Sequence, residues 1–288
     1  MPQPTSPGDY ADFYRQSIAP DTREAFWLEQ ARAIDWHQAP QQACDYHNPP
    51  FARWFADGQL NLCHNAVDRH LAQRADQPAI IAVSTETNTE RVYTFAQLHE
   101  EVQRMAAVLQ SFGVGKGDRV QIYMPMIAEA AFAMLACVRL GAIHSVVFGG
   151  FASVSLASRI DDAQPKVVIS ADAGSRGGKA IAYKPLLDEA LQLAKHKPAA
   201  VLLVDRGLAP MPLQAGRDHL WSTLRTQPQF SEAKVPCTWL NSSDPSYILY
   251  TSGTTGKPKG VQRDTGGYAV ALASSMQHIF AGQAGQTF

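Results

Sequence analysis

Short apolar runs alternate with longer amphipathic runs from about residue 79 onward, and this alternation restricts the fold more than any other feature. The intervening amphipathic runs have helical periodicity. Strands that alternate with helices predict an α/β fold, with a doubly wound, mostly parallel sheet and helices on both faces. The apolar runs that we interpret as strands are AIIAVST (79–85), DRVQIYM (118–124), IHSVV (143–147), KVVIS (166–170) and AAVLLV (199–204).

Helix boundaries can be predicted from capping residues. Thr94 followed by Gln97 forms a capping-box pattern in front of an apolar stripe, and Gly113 supplies a stop signal for that helix. Asp21 followed by Glu24 has the same spacing near the N-terminus. The sequence therefore predicts N-caps at Thr94 and at Asp21.

The first 60 residues differ from the rest in pattern. They contain aromatic residues at helical intervals, followed by the proline-broken segment HNPPFARWFADGQLN (47–61), which we expect to be irregular. We predict an N-terminal helical, aromatic cap over residues 1–60. A second region over residues 61–288 then contains the α/β pattern.

Composition excludes several classes of protein. Of the 288 residues, 25 are Lys or Arg and 26 are Asp or Glu, so the net charge is −1, which argues against a nucleic-acid partner. No apolar run approaches the ~20 residues of a membrane helix, and no signal peptide is recognisable. The four widely spaced cysteines predict cytoplasmic thiols without a metal site. We expect His144 to be a hydrogen-bonded histidine of the sheet, and the oligomeric state stays open.

The segment SYILYTSGTTGKPKGV, Ser246–Val261, contains the strongest chemical signal. An apolar strand runs directly into a loop of glycines, hydroxyls and lysines. Such a loop suits phosphate, because glycines let backbone N–H groups approach an anion while hydroxyls and ammonium groups add donors. A flexible linker is the alternative, but it explains neither the preceding strand nor the KPK run. The predicted phosphate-binding residues are Thr251, Ser252, Gly253, Thr254, Thr255, Gly256, Lys257 and Lys259.

A second loop places two cations around a glycine pair, in the order Arg176, Gly177, Gly178 and Lys179. It follows the KVVIS strand. Two cations beside flexible backbone suit a phosphate group, but taken alone the pattern favours an ordinary solvated turn.

The sequence TSGTTGKPKG resembles the phosphate-binding signature of the adenylate-forming superfamily, where this loop closes over the β- and γ-phosphates of ATP. The RGGK loop resembles the one that binds the 3′-phosphate ADP end of coenzyme A in acetyl- and propionyl-CoA synthetases. The segments ARWFADGQLN, GAIHSVVFGGFASVSLASRI and KGVQRDTGGYA are similar to the same branch, so the resemblance covers nearly the whole chain. Arg263 and Asp264 stand where acetate enzymes tend to have a His-Thr pair, which favours the propionate enzymes.

The resemblance implies activation of a short-chain carboxylate, propionate before acetate, by ATP with Mg²⁺, and then transfer of the acyl group to coenzyme A. Family members continue through adenine and ribose motifs, an acyl pocket and a C-terminal domain with a catalytic lysine. We therefore expect this chain to be an N-terminal fragment whose catalytic residues lie beyond Phe288, which does not turn over alone and tends to self-associate. Alternatives are a non-catalytic nucleotide- or CoA-binding protein, an acetate–CoA ligase and another adenylating enzyme.

Overall fold

A computed structural model describes residues 7–251 and 258–288, without the side chains of Pro7 and Arg176. Within these residues the helices are, in chain order, α1 (Pro7–Ile18), α2 (Arg23–Ala31), α3 (Leu62–Ala66), α4 (Leu71–Arg74), α5 (Phe95–Ser111), α6 (Ala128–Leu140), α7 (Ser153–Ala163), α8 (Tyr183–Leu193), α9 (Trp221–Leu224), α10 (Pro228–Ser231) and α11 (Gly266–His278), with a 3₁₀ turn at Asp68–His70.

The strands of the described residues are β1 (Cys44–Asn48), β2 (Phe51–Trp54), β3 (Gln59–Leu60), β4 (Pro78–Ser84), β5 (Thr89–Thr94), β6 (Arg119–Tyr123), β7 (Ile143–Val146), β8 (Val167–Ala171), β9 (Ala173–Arg176), β10 (Lys179–Ala182), β11 (Ala200–Val204), β12 (Asp218–Leu220), β13 (Leu240–Asn241), β14 (Pro245–Thr251) and β15 (Lys259–Asp264).

The chain divides into two units by internal contact. The smaller unit comprises Met1–Asn65, Trp239–Pro245 and Arg263–Phe288, and the larger comprises Ala66–Thr238 and Ser246–Gln262. In the smaller unit, β3 pairs antiparallel with β13 and α11 contacts α2 and β2. Its apolar core includes Phe55 and Leu60. The predicted division of the chain at residue 60 stays a prediction.

The larger unit is built on a seven-stranded sheet with the order β12-β11-β8-β6-β7-β14-β15. Every neighbouring pair from β12 to β14 is parallel. The chain runs from β6 to β7 on one side and then returns past β6 to β8. Because crossovers between parallel strands are right-handed, this reversal places α6 and α7 on opposite faces. The predicted α/β, doubly wound, mostly parallel fold is confirmed.

The face of the sheet under α7 and α8 forms an apolar core of this unit. Val168 and Val201 are Cα partners on β8 and β11, and both pack with Leu156 and Leu187 of the two helices. All four side chains are 0% exposed. The strands are buried on both faces, as in other parallel sheets covered by helices, and this burial holds their carboxyl ends in fixed positions.

Capping residues predicted one helix boundary correctly and one wrongly. Thr94 is the N-cap of α5, its side chain accepts from the Gln97 N–H, and the Gln97 side chain accepts from the Thr94 N–H. Gly113 follows this helix with φ +79°, a value that favours glycine. The predicted box at Asp21 is wrong: α2 begins after Thr22 without a side-chain cap, and the Glu24 carboxylate instead accepts from the backbone of Ala43 at 2.5 Å.

The structure contains two antiparallel strand pairs that the sequence did not predict. The strand predicted at 79–85 exists as β4, but it pairs with β5 in a separate two-stranded sheet, because the turn after Ser84 returns the chain at once. The segment predicted to be irregular contains the end of β1 and all of β2, which pair antiparallel. For residues 79–85 the apolar pattern correctly predicted an extended strand, although not its antiparallel partner. For residues 47–61 the proline content predicted irregular structure where two strands pair.

Candidate functional site

The strand order reverses between β6 and β8, where the chain turns to opposite sides of the sheet. In open α/β sheets the loops that leave the carboxyl ends of the strands separate at such a point and form a ligand-binding crevice. The β6–α6 loop, the β7–α7 loop and the β9–β10 hairpin all leave this edge. It is the candidate site of the larger unit.

The β9–β10 hairpin contains the predicted CoA-binding residues. Arg176 and Lys179 are Cα partners, so a two-residue turn of Gly177 and Gly178 joins the strands. These glycines have φ +58° and +77°, and positive φ at both central positions is the mark of a type I′ turn. Lys179 is exposed, whereas the side chain of Arg176 lies outside the description. The backbone conformation of the turn therefore explains why glycines occupy both of its positions, and Lys179 is exposed to a ligand.

Buried hydrogen bonds fix the base of this hairpin. The carboxylate of Asp172, which is 0% exposed, accepts from the N–H of Ala173 at 2.8 Å and from the N–H of Leu208 at 2.6 Å. The Arg206 guanidinium donates to the Ala173 carbonyl at 3.2 Å and pairs with Glu86. A buried carboxylate that is satisfied by backbone donors orients the segment that leaves it.

Tyr183 brings the β7–α7 loop against the hairpin. A Cβ on Gly149 would lie 2.1 Å from the Tyr183 hydroxyl, and one on Gly174 would lie 2.2 Å from it, so neither position has room for a side chain. Tyr123 packs on Tyr183 with ring centroids 5.0 Å apart, and its hydroxyl donates to the Phe151 carbonyl at 3.1 Å. Our sequence reasoning did not select this loop as part of the site, although a glycine pair directly after a strand was a usable signal.

The predicted phosphate loop joins β14 to β15, which are neighbours in the sheet. Thr251 ends the first strand, Lys259 begins the second, and both are exposed. The Thr251 hydroxyl donates to the Lys259 carbonyl at 3.5 Å, which brings the two ends of the loop together. The other predicted phosphate-binding residues, Ser252–Lys257, lie outside the described residues.

Polar groups that lack partners lie within the sheet itself. Gln121 and Ser145 are Cα partners, and Ser246 lies on the same face because Ile248, two residues along, is the partner of Ser145. These three polar residues are at most 1% exposed, and neither the Gln121 amide nor the two hydroxyls has a hydrogen-bond partner among the described residues. Such groups are rare in protein interiors and cost stability.

His144 lies on β7 with its ring stacked on Tyr247 at 5.6 Å between centroids. Its Nδ1 is shut off from solvent and has no partner in the described part of the chain, so the expectation of a hydrogen-bonded histidine is wrong. Burial lowers the pKa of His144 to about 4. The imidazole is therefore neutral at physiological pH.

Two small cavities of about 200 and 180 Å³ lie elsewhere in the described residues, one in each unit. No predicted binding residue lines either of them. All four cysteines are free thiols. Across the described ranges, no helix has the length and apolar character required to cross a bilayer.

Family models match both parts of the chain. The model described as AMP-binding enzyme matches residues 67–288, and the model described as acetyl-coenzyme A synthetase N-terminus matches residues 10–66. The chain belongs to the AMP-binding enzyme family, and the resemblance to acyl-CoA synthetases noted in its sequence is confirmed.

Individual relatives agree with this assignment. The chain is 60% identical to propionate–CoA ligase of Escherichia coli (strain K12) over 279 residues, which cover 97% of this chain and 44% of the relative. It is 44% identical to human mitochondrial acyl-CoA synthetase short-chain family member 3, over 98% of this chain and 41% of the relative. The solved structure of acetoacetyl-CoA synthetase from Streptomyces lividans matches with a TM-score of 0.83 and 27% identity, over 96% of this chain and 41% of that one. The chain thus spans less than half the length of these relatives.

Proposed function

We propose that this chain supplies the ATP-phosphate and coenzyme A contacts of an AMP-forming ligase that activates a short-chain carboxylate, with propionate as the preferred substrate. The observation that carries the proposal is the 60% identity to the E. coli propionate–CoA ligase over 97% of this chain. The predicted phosphate loop lies within the matched region, which the family model extends over residues 67–288.

The proposed reaction has two steps. In the first, a carboxylate oxygen attacks the α-phosphorus of ATP, the bond from that phosphorus to the bridging oxygen breaks, and pyrophosphate leaves. In the second, the CoA sulfur attacks the acyl carbonyl carbon of the acyl-adenylate, AMP leaves, and the thiol proton passes to solvent. Because the carboxylate is already a nucleophile, the protein contributes mainly position and charge stabilisation.

The phosphate loop would act in the first step. Negative charge moves onto the pyrophosphate as the bond breaks, and hydroxyl and ammonium donors placed around it stabilise that charge. Thr251 and Lys259 are exposed at the two ends of the loop, in line with this role. Mg²⁺ enters as part of the MgATP substrate, since the loop from Ser246 to Val261 has hydroxyl groups but no carboxylate that would hold a resident ion.

The β9–β10 hairpin would act in the second step by holding the phosphates of coenzyme A. Its support comes from position, because the hairpin leaves the carboxyl edge where the strand order reverses, and from charge, because Lys179 is exposed at its turn. A two-residue turn fixes the backbone positions from which its two cations extend, so less conformational entropy is lost on binding a phosphate than with the same charges on an irregular loop.

Expression of the complete reading frame tests the proposal. We expect propionate-dependent exchange of pyrophosphate into ATP, and formation of propionyl-CoA with AMP when CoA is added. Acetate and benzoate run in parallel distinguish an acetate–CoA ligase and an aryl ligase from the proposed activity. A folded protein that binds ATP or CoA but shows no carboxylate-dependent exchange contradicts it and indicates the non-catalytic alternative. The inactivity expected of residues 1–288 alone and the cytoplasmic location stay predictions.

A further inference from the structure

Tyr250, next to last in β14, is held by helix α7. Its hydroxyl donates to the Asp162 carboxylate at 2.6 Å. Burial, together with this carboxylate, raises the pKa of Tyr250, so the hydroxyl stays protonated and acts as a donor. A hydrogen bond to an ionised acceptor is about twice as strong as a neutral one.

Arg159, one turn earlier on α7, covers the Tyr250 ring. Its guanidinium carbon lies 5.5 Å from the centroid of that ring and 4.6 Å from the centroid of Phe151 in the β7–α7 loop. Arg159 is 6% exposed and donates to the Ser155 carbonyl at 2.7 Å, but in the described part of the chain no carboxylate forms an ion pair with it. Burial lowers its pKa. The faces of two aromatic rings and the Ser155 carbonyl therefore stabilise this buried cation.

The same ring also contacts the strand that follows the phosphate loop. A Cβ on Gly260 of β15 would lie 3.3 Å from the Tyr250 ring and 3.1 Å from Ile248. Such distances are shorter than ordinary contacts, so a glycine at 260 lets the backbone of β15 approach Tyr250 closely. Tyr250 thus touches α7 on one side and, on the other, the strand on which the loop ends.

We propose that Tyr250 is a positioning residue for the phosphate loop. Arg159 and Asp162 fix its ring on α7, and the ring packs against β15 at Gly260, so it anchors to the helix the two strands between which the loop lies. This inference rests on the proposed function, and it adds a residue outside the glycine- and hydroxyl-rich motif. A displacement of about 1 Å at such a loop lowers a rate up to ~10²-fold, so the support of the loop affects catalysis as its donors do.

Kinetics of the complete protein test this role. In pyrophosphate exchange we expect Tyr250→Leu to lower kcat/KM for ATP about tenfold, while the KM for CoA in thioester formation changes less than about twofold. Tyr250→Phe keeps the ring and loses the bond to Asp162, so we expect a smaller loss of about threefold. Asp162→Asn keeps an acceptor oxygen but loses its charge, so we expect a loss smaller than that of Tyr250→Phe, whereas Asp162→Leu should match Tyr250→Phe.

Amide hydrogen exchange supplies a measurement that does not depend on activity. We expect Tyr250→Leu to increase exchange over residues 251–262 and to leave the interior of α6 unchanged. Tyr46→Phe, at an exposed tyrosine of the smaller unit, is the matched control. If the wild-type protein shows no propionate-dependent exchange of pyrophosphate, the proposed function fails while hydrogen exchange still decides the role of Tyr250. Unchanged amide exchange over residues 251–262, or a loss of thermal stability with an unaltered kcat/KM for ATP, overturns the inference.

Discussion

The two terminal nitrogens of Arg139 donate to the two carboxylate oxygens of Asp68, each at 2.9 Å. Arg139 is 3% exposed at the end of α6, and its Nε donates to the Val235 carbonyl at 2.5 Å. Asp68 is separated from it by 71 residues in sequence. This bidentate pair links the 3₁₀ turn to the helix that precedes β7, and breaking it removes the carboxylate that neutralises a buried guanidinium.

We expect Asp68→Asn to lower the free energy of unfolding by about 3 kcal/mol at pH 7, the usual cost of removing one partner from a buried ion pair. Burial works to raise the pKa of Asp68, but hydrogen bonds from His99 and Arg139 outweigh it and hold the pKa below the ordinary value of 3.8. The pair therefore stabilises the fold above the unfolded-state pKa, and its contribution is lost as the pH falls through the lower folded-state pKa.

Urea unfolding between pH 7 and pH 3 measures both effects. The wild-type protein should lose more stability than Asp68→Asn does below about pH 4. Glu100→Gln is the control, because Glu100 is 60% exposed and pairs with Arg104 at the surface, where such a pair contributes about 0.5 kcal/mol or less. Equal unfolding free energies for Asp68→Asn and wild type at pH 7 would contradict the prediction.

His144 should make stability depend on pH in a different range. Burial lowers its pKa from 6.5 to about 4, so between these values the unfolded chain binds a proton that the folded protein does not. Stability therefore falls as the pH is lowered from 6.5 to 4, by up to about 3 kcal/mol. His144→Phe keeps an aromatic ring against Tyr247 and should remove this part of the pH dependence. His47→Phe, at a side chain that is 88% exposed, should leave it in place.

Capping residues predicted helix ends correctly where the hydrogen bonds at that end join residues close in sequence. Thr94 and Gln97 bond to each other, and Gly113 follows α5 with φ +79°, so the few residues at each end of this helix determine where it begins and ends. The failures have longer-range causes. Glu24 bonds to Ala43, 19 residues away, instead of forming a cap, and nothing near Asp21 in the sequence indicates that choice.

For the candidate site as well, the sequence indicates contiguous motifs but not the residues that the fold brings together. The motif around Thr251 and the RGGK loop are short contiguous runs, so the sequence and its resemblance to a known family are enough to propose them as binding residues. The Tyr183 hydroxyl between Gly149 and Gly174 could not be, because three segments meet there only after the sheet has formed. At Tyr250 the sequence predicts only a strand, because the partners of this side chain on α7 are 88 residues or more away.

The hairpin that contains the predicted CoA-binding residues offers a matched pair of variants. Gly177→Asn should preserve the KM for CoA, since Asn-Gly is the preferred type I′ pair. Gly178→Val should raise it, because a β-branched residue at φ +77° is strained and deforms the turn.

Arg176→Ala should raise the KM for CoA about tenfold and leave pyrophosphate exchange unchanged, since it removes ground-state binding of one substrate. Equal damage to both half-reactions would make Arg176 structural.

The unpartnered polar residues within the sheet predict a gain in stability. Replacing Gln121 by Leu together with Ser145→Ala and Ser246→Ala removes three side chains whose polar atoms lack partners among the described residues. Replacement of buried, unsatisfied polar groups by apolar ones of similar shape is neutral or stabilising, by about 1–3 kcal/mol where desolvation is relieved. Thermal unfolding of the triple variant measures this, with Ser170→Ala as the control. Ser170 donates to the Tyr123 carbonyl at 2.8 Å, so its removal should destabilise. A triple variant that unfolds at a lower temperature than the wild-type protein would refute the prediction.

The phosphate loop gives the sharpest test of the chemistry. Lys259→Ala removes an exposed ammonium at the start of β15, and Thr255→Val removes a hydroxyl from the middle of the motif. Loss of a donor that faces charge developing in the transition state costs about 10²-fold in rate, so each variant should slow propionate-dependent pyrophosphate exchange by that order. Loss of charge stabilisation in the transition state lowers kcat, whereas loss of ground-state attraction for ATP raises KM alone. Lys116→Ala, in the turn before β6, controls for the loss of one positive charge, and it should leave both constants unchanged. A Lys259→Ala enzyme with a normal kcat and a raised KM for ATP would mean that the loop binds the nucleotide without stabilising the departing pyrophosphate.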